Sequence, residues 1–209
     1  ESFYDNLYES YSIKKEEANK VINPIIKNHF DDNLKNFLEI SKSGKKYHVQ
    51  FEKEISKIFS NYWGFYSHHT GHIKRESNMG GGYSDIFVVP VDKKSCALID
   101  AKAIKNYSLP HDDRLNMINN YVPNYRELVE KFDYIDLSLN FITYVSTSIN
   151  HKSKIHEWCS IVSNECENIP VSAVSADDFA KLARRYKGKV NQTKVINTLA
   201  KTGVVQLKN

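Results

Sequence analysis

Cysteine is scarce in this chain. Its 209 residues include three, Cys96, Cys159 and Cys166, and no two are spaced as CxxC. An odd count without that spacing argues against a disulfide framework or a cysteine zinc site, and for a reducing compartment. Long apolar runs are missing as well. No stretch approaches the roughly 20 residues needed to cross a bilayer, so no membrane partner is expected. No signal peptide is expected, and the sequence shows no internal repeat and no low-complexity linker. The first residue is Glu1 rather than Met, which reads as a piece of a longer protein or a trimmed one.

Nor is there a large excess of one charge. The 29 Lys and Arg residues face 25 Asp and Glu, a net charge of +4. That surplus suits a polyanionic partner only where the basic residues gather on one face. Hydrophobic residues are plentiful at 41%, with 13 tyrosines and 10 phenylalanines, and predict a packed core rather than disorder.

Periodicity orders the chain. Apolar positions at helical spacing run through Ile22, Ile25, Ile26, Phe30, Leu34 and Phe37, with a break expected near Pro24. Phe51, Ile55, Ile58, Phe59 and Tyr62 mark a clear amphipathic helix that Gly64 helps to end. Residues 66–83 read as a loop rich in His, Gly and Asn. Strands are expected at about 84–90 and 95–103, and a helix from Asp112 through Lys131 with a kink at Pro123. A strand at 139–145, a helix at 151–167 and a short strand at 170–174 follow. Ser175, with Asp178 three residues on, is an N-cap signature, and a last Lys-rich helix is expected near 191–201. This order predicts the α/β class, with a central mixed β-sheet flanked by α-helices. One domain over 1–209 is the simplest organisation, with 1–20 as a helical extension or linker.

The chemistry concentrates in a split pair of acids. Asp85 opens the apolar run Ile86–Val89, and Asp100-Ala101-Lys102 closes the run Cys96–Ile99. Residues two apart on a strand share a face, so Asp100 and Lys102 project together. An isolated Asp-x-Lys is most often an ion pair at a solvated strand end. A second acid on the neighbouring strand changes the reading. Two carboxylates and the Ala101 carbonyl can hold a hard cation such as Mg²⁺, beside an ammonium that orients a nucleophile and offsets growing negative charge. This is the layout of the PD-(D/E)xK nucleases. A further carboxylate can come from the preceding helix. Glu52 and Glu54 flank its apolar face on opposite sides, and helical geometry alone does not choose between them.

From about Ile25 to Leu207 the chain resembles the cleavage domain of the FokI-type, or type IIS, restriction endonucleases. Phe51-Glu52, Lys57-Ile58-Phe59 and Gly64-Phe65 resemble the family's first core helix, which implies Glu52 as the active-site glutamate. Gly81-Gly82-Tyr83-Ser84-Asp85-Ile86 stands where the family has a glycine-rich turn and Pro-Asp-Gly, with Ser84 in place of the proline and a longer loop before it. Ile99-Asp100-Ala101-Lys102-Ala103 resembles its Asp-Thr/Ser-Lys-Ala segment. Leu109-Pro110, Tyr121-Val122, Tyr144-Val145-Ser146 and Val174-Ser175 with Asp177-Asp178 match further pieces in order. The resemblance implies a metal-dependent endodeoxyribonuclease that leaves 5′-phosphate and 3′-hydroxyl ends, with little sequence preference of its own. Asp85, Asp100, Ala101 and Glu52 would hold Mg²⁺, which Mn²⁺ or Ca²⁺ can replace for binding, and Lys102 would position the nucleophile. Double-stranded DNA is the implied partner, recognition falls to a separate domain, and the setting is the bacterial cytoplasm. One site cuts one strand, so a duplex cut needs a second nuclease subunit or a homodimer. The family's dimer helix pairs an Asp with an Arg four residues on. Here those positions are Asn116 and Asn120, so that ion pair does not form in the same way.

Other readings compete locally. His68, His69 and His72 lack the cysteines or acids that would complete a zinc set. Their loop, with Lys74 and Arg75, can instead approach phosphate. Lys105, Asn106 and Tyr107 flank the Asp-x-Lys strand and can meet the DNA backbone. Lys181, Arg184, Arg185, Lys187 and Lys189 suit phosphate contacts or a solvated helix end. Trp63 and Trp158 occupy core positions of their helices. At the level of the whole domain, the alternatives are a non-catalytic DNA-binding or dimerisation module with this fold, or a repair or junction-resolving nuclease of the same superfamily.

Overall fold

The computed structural model describes residues 31–73 and 82–207. The break at Pro24 and the phosphate candidates Lys74 and Arg75 lie outside the described residues. The chain divides into two compact units, Glu1–Phe37 and Leu38–Asn209. In the first, residues 31–37 are helical. The second carries the sheet and is described from here on.

Among the described residues, six strands form one sheet in sequence order: β1 (Tyr66–His69), β2 (Ile86–Val89), β3 (Ser95–Lys102), β4 (Ser138–Ser146), β5 (Val171–Ser175) and β6 (Gly203–Val205). The first three run antiparallel, and β3 to β6 run parallel. β2 and β5 are buried along almost their whole length. Helices therefore cover both faces, as the continuous apolar runs require.

Helix α1 (His48–Lys57) packs against β1 and β3 on one face. It buries Phe51 and Ile55, and a π-helical turn, Ile58–Tyr62, adds Ile58, Phe59 and Tyr62. Phe59 stacks edge-on against Trp63 with ring centroids 4.9 Å apart. Gly64 takes a left-handed φ of 69° at the helix end and donates its N–H to Ser60 O at 2.9 Å. The opposite face is covered by α2 (His111–Asn116), a π-helical turn Met117–Tyr121, α3 (Val122–Lys131) and α4 (Lys152–Glu165). The expected kink at Pro123 appears as this π turn just before it, since proline brings no N–H to the helix ladder. Helices α5 (Ala176–Arg185) and α6 (Gln192–Leu199) complete the second unit. Ser175 caps α5, accepting from Asp178 N at 3.2 Å.

Three expectations need correction. Residues 66–69 form an edge strand rather than loop, paired with β2 from Tyr66 opposite Val89 to His69 opposite Ile86. A sixth strand follows the last helix. Trp158 is only partly buried, with the Arg114 guanidinium lying 3.6 Å from its ring centre. None of the helices among the described residues is long and apolar enough to cross a membrane.

Candidate active site

Strand register builds the centre of the site. Ile86 of β2 stands opposite Ile99 of β3, which brings Asp85, one residue before β2, level with Asp100. The Ala101 N–H donates to Asp85 Oδ2 at 2.7 Å and pins that carboxylate to β3. From the other side, the Thr70 and Gly71 N–H groups donate to the Asp85 carbonyl at 2.7 and 3.1 Å. A Cβ on Gly71 would lie 2.9 Å from Asp85 Oδ1 and 3.5 Å from Glu52 Oε2. A side chain at that residue would displace the Asp85 carboxylate.

Alternation along β3 sends Asp100 and Lys102 to the face that carries Cys96 and Leu98. Lys102 Nζ lies 3.0 Å from Asp100 Oδ2 and 3.3 Å from Asp113 Oδ1, the latter on α2. Asp113 Oδ2 in turn accepts from the Tyr107 hydroxyl at 2.7 Å. Asp100 is 1% exposed. Both of its carboxylate oxygens are buried without a well-directed hydrogen bond, so the Lys102 ammonium balances them as an ion pair.

Glu52 and Glu54 part company here. Glu54 turns to Lys57 at 2.7 Å and Gln50 at 3.0 Å. Glu52 sits beside Asp85 and meets His69 Nε2 at 2.6 Å. His69 stacks on His72, while His68 lies flat on Phe132 at 3.9 Å and meets the Tyr134 hydroxyl. The histidines thus serve two different neighbourhoods, His69 with its stacked His72 beside Glu52, and His68 against Phe132 and Tyr134. Among the described residues, no three His, Cys, Asp or Glu side chains stand together as a ready-made metal cage.

The electrostatics fit a site short of positive charge. Burial, then the Glu52 charge, pushes the Asp85 carboxyl up to about 6, against the pull of Lys102 and the Ala101 N–H. Burial and the neighbouring Asp85 raise Asp100 well above the usual carboxylate range. Burial opposes the Lys102 ammonium, but Asp100, Asp113 and Asp85 outweigh it and hold the lysine charged. Two crowded carboxyls, one of them with both oxygens lacking a well-directed hydrogen-bond donor, suit a hard, oxygen-seeking cation. Mg²⁺ needs only one or two carboxylates, since waters and phosphate oxygens complete its shell.

The flanking candidates divide. Lys105 and Asn106 are exposed in the turn after β3, where the Asn106 N–H bonds Ser148 Oγ at 2.9 Å. Tyr107 is buried and faces inward to Asp113. The partly buried Asn120 donates its side-chain N–H to Asn116 Oδ1 at 3.1 Å along the helix. Sequence reasoning missed His69 and Asp113 as members of the site. Gly71, two residues after His69, was a signal for a close backbone approach.

With that geometry in hand, relatives can be compared. The model of the family described as FokI, cleavage domain, matches residues 12–205. The chain belongs to the FokI cleavage-domain family. It is a nuclease cleavage domain of the restriction-endonuclease type. A structure of restriction endonuclease FokI superposes with a TM-score of 0.59 at 14% identity, covering 81% of this chain and 30% of that one. A structure of FokI bound to DNA gives a TM-score of 0.60 at 16% identity, covering 83% and 30%. At such identities the superpositions speak for the fold. The chain thus spans less than a third of the length of either structure. No curated protein gives a significant match.

Proposed function

We propose that this domain hydrolyses phosphodiester bonds of double-stranded DNA in the presence of Mg²⁺, leaving 5′-phosphate and 3′-hydroxyl ends. The observation that carries the reading is the convergence of Asp85, Asp100 and Lys102 on one face of the β2–β3 end, in a chain of the FokI cleavage-domain family. Asp85 and Asp100, with the Ala101 carbonyl, are the ligands we assign to the cation, and Glu52 is the adjoining third carboxylate. The cation, when bound, supplies charge that polarises the phosphate and eases deprotonation of water. Lys102 keeps its ammonium beside that point, where it orients the attacking oxygen and balances charge on the phosphate. Mn²⁺ is expected to support the reaction and Ca²⁺ to support binding.

Sequence recognition belongs, in this reading, to a separate domain of a longer bacterial cytoplasmic restriction enzyme. The chain then acts as one nuclease domain, with residues 1–20 as an extension or linker. Lys105 and Asn106, exposed beside β3, are the backbone contacts we assign among the described residues; Lys74 and Arg75 complete the set. A cut through both strands requires a second nuclease subunit.

End-labelled linear duplexes test the reading. Purified domain should cut them with little sequence preference in Mg²⁺ and not in EDTA, and the ends should be ligatable without prior phosphorylation. DNA binding without cleavage in Mg²⁺ or Mn²⁺ would instead mark a non-catalytic module. Cleavage confined to branched DNA would mark a junction-resolving nuclease.

A further inference from the structure

Asp113 lies in the first turn of α2, where an acid needs no special reason: it complements the positive end of the helix. Its side chain does something else. Neither carboxylate oxygen turns back to cap the helix, which has no side-chain cap. Oδ1 meets Lys102 Nζ at 3.3 Å, and Oδ2 accepts the Tyr107 hydroxyl at 2.7 Å. Tyr107 is itself fixed from both sides. Its N–H donates to Ser148 O at 2.9 Å, its carbonyl accepts from Asn150 N at 3.1 Å, and it bridges to Ile149. A chain of contacts thus runs from the turn after β4, through Tyr107 and Asp113, to the ammonium of Lys102.

We propose that Asp113 is a positioning residue that, anchored by Tyr107, holds the Lys102 ammonium in its catalytic place. The proposal rests on the nuclease reading of Asp85, Asp100 and Lys102. Its logic is a competition for Asp100. Lys102 leans on both Asp100, at 3.0 Å, and Asp113, at 3.3 Å. Asp100 oxygens given over to a cation would no longer hold the lysine as firmly, and the added positive charge would repel the ammonium. A long, flexible lysine without a second anchor would then swing away. Asp113 provides that anchor from a different element. Tyr107 is suited to its part because burial and the charges of Asp100 and Asp113 raise its hydroxyl above the ordinary range, so it stays a donor. Outer partners that orient groups in a metal site typically change activity by about 10–100-fold when removed.

The test compares Asp113→Asn, Tyr107→Phe and the exposed neighbour Asp112→Asn in otherwise intact chain. Two readouts are taken: steady-state plasmid nicking in Mg²⁺, and the rate at which Lys102 is acetylated, followed by mass spectrometry in metal-free and Ca²⁺-loaded protein. Asp113→Asn should lower kcat by about 10–100-fold at nearly unchanged KM. It should also raise Lys102 acetylation several-fold in Ca²⁺, while Ca²⁺ affinity by calorimetry stays put. Tyr107→Phe should move both readouts the same way by less, and Asp112→Asn neither. Wild-type kcat with unchanged Lys102 labelling in Asp113→Asn would overturn the proposal. So would a fall in activity that merely follows a fall in thermal midpoint, with Tyr107→Phe silent. A wild-type protein that cuts no DNA would refute the nuclease reading instead, and the labelling contrast would still decide whether Asp113 tethers Lys102.

Discussion

Asp85 and Asp100 are acids placed where ionisation is costly. Their oxygens sit side by side under a packed sheet, and the ammonium of Lys102 is the main compensating charge. This has a pH consequence with a definite sign. The Asp85 carboxyl titrates at about 6 in the folded domain against an ordinary 3.8. Between those values the folded metal-free domain keeps a proton that the unfolded chain has released. The stability this brings is full below the ordinary value and is lost as pH rises through about 6. A divalent cation should replace it. The rise in thermal midpoint on adding Mg²⁺ is therefore expected to be larger near pH 7.5 than near pH 5, and that pH dependence should weaken in Asp85→Asn, where only the raised Asp100 carboxyl remains. An equal rise at both pH values in the wild type would contradict the assignment of Asp85 as a ligand.

At the scale of elements, local chemistry and long-range pairing contribute differently. The start of α5 is a local matter: Ser175 accepts the Asp178 N–H, and its hydroxyl meets Asp178 Oδ2 at 3.0 Å. Ser175→Ala should cost about 1 kcal/mol in urea unfolding, as loss of an N-cap usually does; no change would mean that neighbouring packing alone sets the helix start. That motif was legible in the sequence, as were α1, from its apolar spacing, and β2 and β3, from their unbroken apolar runs. β1 was not. Its four residues, Tyr-Ser-His-His, lack strand alternation, and it exists because β2 offers an open edge. β6 is three residues long and is held by β5 from across the fold. Within the candidate site, the approach of Asp85, Asp100 and Lys102 was legible because strand register is local to a hairpin. The Glu52–His69 and Lys102–Asp113 contacts could not, since each joins elements whose packing no short pattern encodes.

At the scale of the molecule, the proposed centre is one acid pair and one lysine, while a duplex has two strands. The helix that carries an ion pair in the resembling family carries the hydrogen-bonded Asn116 and Asn120 here. Two domains should therefore meet weakly, without that ion pair. Nicking of plasmid is expected to rise in proportion to domain concentration, and linearisation more steeply. Linearisation proportional to concentration from the lowest dose would instead show a preformed dimer. The central claim is that the β2–β3 acids and Lys102 form a metal-dependent hydrolytic centre, and one measurement meets it directly: nicking of supercoiled plasmid in Mg²⁺ by wild type and by Lys102→Ala of matched thermal midpoint. The account predicts cleavage by the wild type that EDTA abolishes, and a loss of about 100-fold or more in the variant. Cleavage by Lys102→Ala at the wild-type rate would contradict it.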